Sequence, residues 1–160
     1  MTIHEKFMDI AFREAEKAFK IGEIPVGAII VKDGVIIGKG YNQVETLKDP
    51  TAHAEIIAIT AAANYLESKW LEGCTIYVTL EPCIMCAGAI VLARIPTLVF
   101  GAFDPKAGAC GTLYNLVQDK KLNHRVHVIS GVNDLKCQSI LKDFFNIMRK
   151  KDKQDNPQNN

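Results

Sequence analysis

Cys83 and Cys86, three residues apart, and His53 and Glu55, two residues apart, are the side chains whose types and spacing could do chemistry in this sequence. At a helix start, Cys-x-x-Cys puts both sulfurs on one face at the positive end of the dipole, where thiols are biased toward thiolate. Taken alone, the pair fits a redox dithiol, half of a structural zinc site, or two buried thiols. His53 alone fits a surface imidazole, and Glu55 alone an ordinary first-turn carboxylate. Together they describe a Cys2His zinc site with the metal's fourth position left for water and an acid beside it to carry protons. Zinc held this way brings the pKa of water toward about 7, which supplies a nucleophile near neutral pH. In mid-helix, positions i and i+2 diverge by about 200°. His53 is therefore expected at an irregular first turn, from which it and Glu55 reach one pocket. A structural four-ligand site would need a further donor from Cys74, Cys110, Cys137, His124 or His127, and no second Cys-x-x-Cys supplies one.

The elements that must position these groups follow from periodicity. Ile3, Phe7, Ile10, Ala11, Ala15 and Ala18 recur at helical spacing, with Gly22 as a C-cap, so residues 3–21 read as an amphipathic helix. Val26 to Val31 and Val35 to Gly40 read as a hairpin across Asp33-Gly34. Thr51 is the expected N-cap of a helix over 52–66. Thr75 to Leu80 reads as a strand, and Pro82 as the start of a helix from about Cys83 to Ala93. Leu98 to Gly101 and Val126 to Ile129 read as strands, and Leu135 to Arg149 as a closing helix. The connection over 102–125 is long enough to be functional. From Asp152 onward the chain holds no hydrophobic residue and is expected to be a disordered tail over 152–160, leaving 1–151 as one domain. Strands alternating with helices point to an α/β three-layer α/β/α sandwich around a mixed sheet of about five strands.

Composition narrows the function classes. The chain has 160 residues, 48% of them hydrophobic, enough for one domain with a real core. Nineteen Lys and Arg against eighteen Asp and Glu give a net charge of +1, so global charge exerts no pull toward nucleic acid or anionic lipid. Any such partner must be met by a local patch, and Arg149, Lys150, Lys151 and Lys153 form the only dense basic run. It is equally a solvated helix end. Met1 to Phe7 lacks the apolar stretch of a secretion signal, and the longest apolar run, Ile84 to Ala93, is about half of the ~20 residues a membrane helix needs. A cytoplasmic protein without a membrane partner is expected. Five cysteines in such a chain argue for thiolate chemistry over a disulfide framework.

His53-Ala54-Glu55 followed after a strand by Pro82-Cys83-Ile84-Met85-Cys86 is the H-x-E and P-C-x-x-C signature of zinc nucleobase deaminases. It admits cytidine, deoxycytidylate, guanine and pyrimidine-pathway deaminases, so the spacing does not name the base. Ile24-Pro25-Val26-Gly27-Ala28, Asp49-Pro50-Thr51-Ala52-His53-Ala54-Glu55-Ile56 and Val78-Thr79-Leu80-Glu81-Pro82-Cys83 closely resemble the bacterial tRNA-specific adenosine deaminases. So do Val99-Phe100-Gly101-Ala102, Asp104, Lys106, Gly108-Ala109 and Asn123-His124-Arg125, and the likeness runs to about Arg149.

The resemblance implies a homodimer of the cytidine-deaminase-like fold with one Zn2+ per chain. It implies hydrolysis of the wobble adenosine of an arginine tRNA anticodon to inosine, with release of ammonia. It further implies Asn42 as a hydrogen-bonding partner of the flipped base, Val26 and Leu80 as walls of its pocket, and Asp104 as a contact to the RNA backbone. Asn123, His124 and Arg125 either line the RNA path or pin the long loop to the sheet. Thr112 stands where the family commonly has Ser, and Phe103 is an aromatic at a variable position, placed to stack on a splayed base. Two other readings compete. A deaminase of free cytosine, cytidine or guanine would turn over without RNA, and a non-catalytic zinc-stabilised RNA-binding module would have no use for Glu55.

Overall fold

The alternation of apolar residues along the strands decides which helices cover which face of the sheet. The computed structural model describes residues 1–156 and 158. In chain order the elements are α1 (Ile3–Lys20), β1 (Gly27–Lys32), β2 (Val35–Tyr41), α2 (Val44–Leu47), α3 (Ala54–Leu66), β3 (Cys74–Leu80), α4 (Ile84–Leu92), β4 (Thr97–Ala102), β5 (His127–Ile129) and α5 (Asp134–Asp155). The strands form one sheet in the order β2-β1-β3-β4-β5. β1 runs antiparallel to β2 and β3, while β3, β4 and β5 are parallel. Ala28, Ile30, Ile76, Val78, Leu98 and Phe100 face α3 and α4, and the intervening Ile29, Val31, Tyr77 and Val99 face α1 and α5. The result is the expected α/β/α sandwich with a mixed five-stranded sheet.

Small residues set how closely α3 approaches the sheet. Ala54, Ala58 and Ala62 recur every fourth position and are fully buried against β2. Opposite them lie Gly38 and Gly40. A Cβ at Gly40 would overlap the Ala54 carbonyl and crowd the Ala58 backbone nitrogen, and one at Gly38 would crowd the Ala58 carbonyl. The helix axis thus rests on strand backbone with no side-chain spacer. That contact fixes the height at which the first turn of α3, with Glu55, stands over the sheet edge.

Several boundaries differ from the sequence reading for physical reasons. The N-cap of α3 is His53, not Thr51, because the Asp49 carboxylate captures the Thr51 N–H (2.8 Å) and hydroxyl (2.7 Å) in a turn of its own. Pro82, expected at the start of α4, precedes it: Cys83 is the N-cap and Ile84 the first helical residue. β5 begins at His127, because the Val126 N–H bonds the Val117 carbonyl across the long connection. That connection also contains a 3-10 turn at Leu116–Gln118. The closing helix continues past Arg149 to Asp155 and takes in part of the expected tail; residues 157, 159 and 160 lie outside the described residues. α2 has no counterpart in the sequence reading. Among the described residues no helix is long and apolar enough to cross a membrane.

The glycine contact has a direct test. Gly40→Ala should destabilise the protein by about 1–3 kcal/mol, the usual range for forcing a methyl into a packed interface. Urea denaturation read by circular dichroism measures it, and an unchanged midpoint would show that α3 does not rest on β2 at this point.

Candidate active site

Four strand ends meet on one edge of the sheet. β1 and β2 pair Gly27 with Tyr41, β1 and β3 pair Ala28 with Val78, and β3 and β4 pair Leu80 with Ala102. The residues just at or beyond these pairs, Val26, Asn42, Leu80 and Asp104, therefore emerge side by side. All four line one cavity of about 730 Å3, together with His53, Glu55 and Cys83 from the starts of α3 and α4. This is the edge at which the parallel strands end, the usual place for a ligand crevice in such sheets.

Both helix starts expose ligand atoms for the same reason. His53 and Cys83 are N-caps with extended backbones, and neither side chain caps its own helix. An extended N-cap turns its side chain toward the third helical residue. In α4 that residue is Cys86, which brings the two sulfurs of the pair together. In α3 the extended conformation of His53 breaks the helical phase, so that it and Glu55, two residues on, face the same cavity. His53 Nδ1 lies 3.6 Å from Cys83 Sγ and 3.6 Å from Cys86 Sγ. Each of the three residues offers one ligand atom, and these atoms all lie within 4.8 Å of one another. A tetrahedral zinc with ordinary Zn–S and Zn–N bonds separates sulfur from nitrogen by about 3.6 Å, so the donor set fits that ion. The Cys86 hydrogen bond, with His53 adding to it, outweighs burial and pushes the Cys83 thiol down to about 4. Cys86 moves the opposite way, because it donates to Cys83 and is buried. Without a cation, then, the pair resists losing its second proton.

Three buried carboxylates surround this group, each differently supported. Glu55 is 3% exposed; burial raises its carboxyl to about 7, against its own backbone N–H, with the neighbouring Cys83 thiolate adding to the rise. Glu23 is also buried, but it accepts the Glu45 N–H (3.1 Å), the Thr46 N–H (2.9 Å) and the Thr46 hydroxyl (2.8 Å). Burial alone would raise its carboxyl, and these bonds reverse that and hold it below its ordinary value. Glu81 accepts three backbone N–H groups and a hydroxyl from the loop after β4. Sequence reasoning passed over Glu23 and Glu81. The available signal was an acid beside a proline motif in an otherwise apolar stretch, Glu23-Ile24-Pro25 and Glu81-Pro82. It also missed Phe144, Phe145 and Met148 of α5, which line the cavity from the other side of the edge.

The remaining expected residues divide. Asn42 is buried, donates to the Ile24 carbonyl (3.3 Å) and accepts the Val44 N–H (3.3 Å), so it is also a brace between two loops. The Asp104 carboxylate accepts the N–H groups of Lys106 (3.0 Å) and Ala107 (3.1 Å), which shapes its own turn. His124 bonds the Ile95 carbonyl (2.7 Å) and Arg125 the Lys120 carbonyl (2.9 Å). These two pin the long connection, and neither they nor the exposed Asn123 line the cavity. All five cysteines are free thiols, and Cys74, Cys110 and Cys137 are buried.

A family model for MafB19-like deaminases matches residues 2–149. The chain is 50% identical over 153 residues to a tRNA-specific adenosine deaminase of Bacillus subtilis (strain 168), covering 96% of this chain and 95% of that one. Among solved structures it is similar to one from a study of A-to-I editing by tRNA:A34 deaminases at the wobble position of transfer RNA. That match has 41% identity and a TM-score of 0.82, covering 84% of this chain and 98% of the other. It is also similar to a guanine deaminase from Bacillus subtilis, with 42% identity and a TM-score of 0.63, covering 69% and 71% of the two chains.

Metal analysis should find about one zinc per chain in the purified protein. His53→Ala or Cys86→Ala should lower that content about tenfold or more, because each removes one of only three donors. Glu55→Ala should retain the metal. Full occupancy in the His53 and Cys86 variants would show that the ion sits elsewhere.

Proposed function

The chain belongs to the tRNA-specific adenosine deaminase family, and from that premise we propose that it hydrolyses the wobble adenosine of an arginine tRNA anticodon to inosine, releasing ammonia, in the cytoplasm. The observation that carries the reading is that His53 Nδ1 and both thiols gather within 4.8 Å of one another, with His53, Cys83 and the enclosed Glu55 lining one cavity walled by Val26, Asn42, Leu80 and Asp104. His53, Cys83 and Cys86 would hold the zinc. When bound, the metal supplies Lewis acidity that brings the pKa of water toward about 7. Glu55 would take a proton from the attacking water as its oxygen bonds the amine-bearing ring carbon, deliver one to the adjacent ring nitrogen, and protonate the amine as the C–N bond breaks and ammonia leaves. Its burial keeps bulk water from competing for the proton. Val26 and Leu80 flank the base, Asn42 bonds its edge, and Asp104 meets the backbone beside it.

An RNA substrate is supported by what stands around the cavity. A flipped nucleotide enters with its strand attached, so the mouth needs groups that meet neighbouring bases and phosphates. Phe103, half exposed, leans edge-on against Phe100 (5.2 Å between ring centres) beside Asp104. α5 lines the cavity with Phe145 and Met148 and carries Arg149, Lys150, Lys151 and Lys153 directly after them. His124 and Arg125 act on this path through the loop they pin, and the exposed Asn123 stands beside them on it.

A homodimer is supported by α4. Ile84 and Leu92 are 59% and 79% exposed, Gly88 lies between them on the same face, and nothing within 4 Å would meet a side chain there.

Two measurements test these readings. Single-turnover assays should show inosine formed in an anticodon stem-loop, with free adenosine, cytidine and guanine unreacted. Glu55→Ala should lower the rate about 10²- to 10⁴-fold with zinc retained. Turnover of free guanine with none on RNA would instead place the chain with the small-molecule deaminases. Light scattering should give a dimer for the wild type and a monomer for Leu92→Lys combined with Ile84→Lys; a monomeric wild type sinks the dimer reading.

A further inference from the structure

The loop after β4 carries Asp104 to the cavity on a stretch, residues 103–107, that buries no side chain in the core. Between Phe103 and Thr112 the side chains of Phe103, Asp104, Lys106 and Thr112 are exposed or half exposed. Ala109 and Cys110 are buried in the core, and the Ala109 N–H bonds the Pro82 carbonyl (2.9 Å); the remaining polar ties, including the one nearest Asp104, converge on one carboxylate just after β3. Glu81 Oε1 accepts the Asp104 N–H (3.1 Å) and the Thr112 hydroxyl (2.5 Å), and Oε2 accepts the N–H groups of Cys110 (3.1 Å) and Thr112 (3.0 Å). Four donors on two oxygens match the full capacity of an ionised carboxylate. The group is 2% exposed, and its partners lie 23 to 31 residues away in sequence. Gly108 completes the arrangement, since a Cβ there would overlap the carboxylate itself.

Resting on the RNA-deaminase reading above, we propose that Glu81 is a positioning residue: it folds the 103–112 loop around its carboxylate and so presents Asp104 to the substrate strand. It stands outside the ligand set of His53, Cys83 and Cys86. It takes no part in the proton transfers assigned to Glu55. Its effect is on substrate binding, transmitted through the loop. The geometry shows why a carboxylate is needed. An amide in its place would turn an NH2 group toward two of the four donors, leaving N–H facing N–H in a buried site. Thr112 bonds Glu81 through both its N–H and its hydroxyl, and a serine in its place would supply the same two donors.

The test pairs loop exchange with kinetics. In Glu81→Gln, amide hydrogen exchange at Asp104, Cys110 and Thr112 should speed up about tenfold or more, while the first turns of α3 and α4 keep their wild-type protection. KM for the anticodon stem-loop should rise about tenfold, with the saturating single-turnover rate within about threefold of wild type and zinc content unchanged. Thr112→Val, a milder cut on the loop side of the same bond, should move both readouts the same way, and Thr112→Ser should leave them at wild type. Unchanged exchange in the loop of Glu81→Gln and Thr112→Val overturns the proposal. So does a fall in the saturating rate with loss of zinc, which would mean that Glu81 supports the Cys83 end of the strand instead. If the wild type deaminates a free base and not RNA, the functional reading fails, and the exchange comparison still decides whether Glu81 holds the loop.

Discussion

Everything in this molecule depends on bringing one imidazole and two thiols from separate helix starts to within metal-bonding distance of one another. Neither helix can do this alone. α3 and α4 cover the same face of the sheet, and the small-residue stripe of α3 against Gly38 and Gly40 sets its height there. The meeting point is then defined by extended N-caps on both sides, which free His53 and Cys83 from capping duty and aim them at each other. The 3.6 Å separations of His53 Nδ1 from the two sulfurs are the outcome. Packing at the rear of α3 and chemistry at its front are thus one constraint, because a shift of the helix that eased the first would break the second.

The same economy governs the acids. Three carboxylates are buried around one cavity, which in an apolar setting would be costly unless each found donors. Glu23 and Glu81 find them in backbone N–H groups of loops that run past the site, and each loop gains a shape by wrapping an anion. Glu55 has no comparable set of donors, and its carboxyl is raised to about 7. The difference separates structural acids from the one acid suited to passing a proton near neutral pH. It comes from where donors lie, since the residue type is identical at all three positions.

What was legible in the sequence was local. H-x-E and P-C-x-x-C act through spacings of two and three residues, so the trio that the structure gathers, His53, Cys83 and Cys86, could be picked out before any fold was known, and the alternating strands carried the layer order. The expected irregularity at His53 is present as an extended N-cap. What escaped was long-range. Asp49 competes for Thr51 and moves a helix start. Glu23 caps α2 from 22 residues away, so a four-residue helix exists that no local preference announces. Asn123-His124-Arg125 left two readings open because the Ile95 carbonyl that fixes His124 belongs to a distant turn. α5 outruns its apolar pattern because exposed charged residues favour helix about as well as apolar ones once a helix is under way.

These separations suggest how one scaffold serves several bases. The proposed metal ligands and Glu55 stand on helix starts fixed by core packing, where a change of substrate has no reason to reach them. Asn42 and Asp104, and the aromatics of α5, stand on segments held by a few hydrogen bonds or exposed at the rim. Such segments accept substitution without disturbing the core. A relative named guanine deaminase that is 42% identical to this chain is therefore physically reasonable: the hydrolytic chemistry can be kept while the walls around the base are exchanged. Discrimination between an RNA strand and a free base falls to the rim, because only a strand-bound base extends beyond the cavity to touch it.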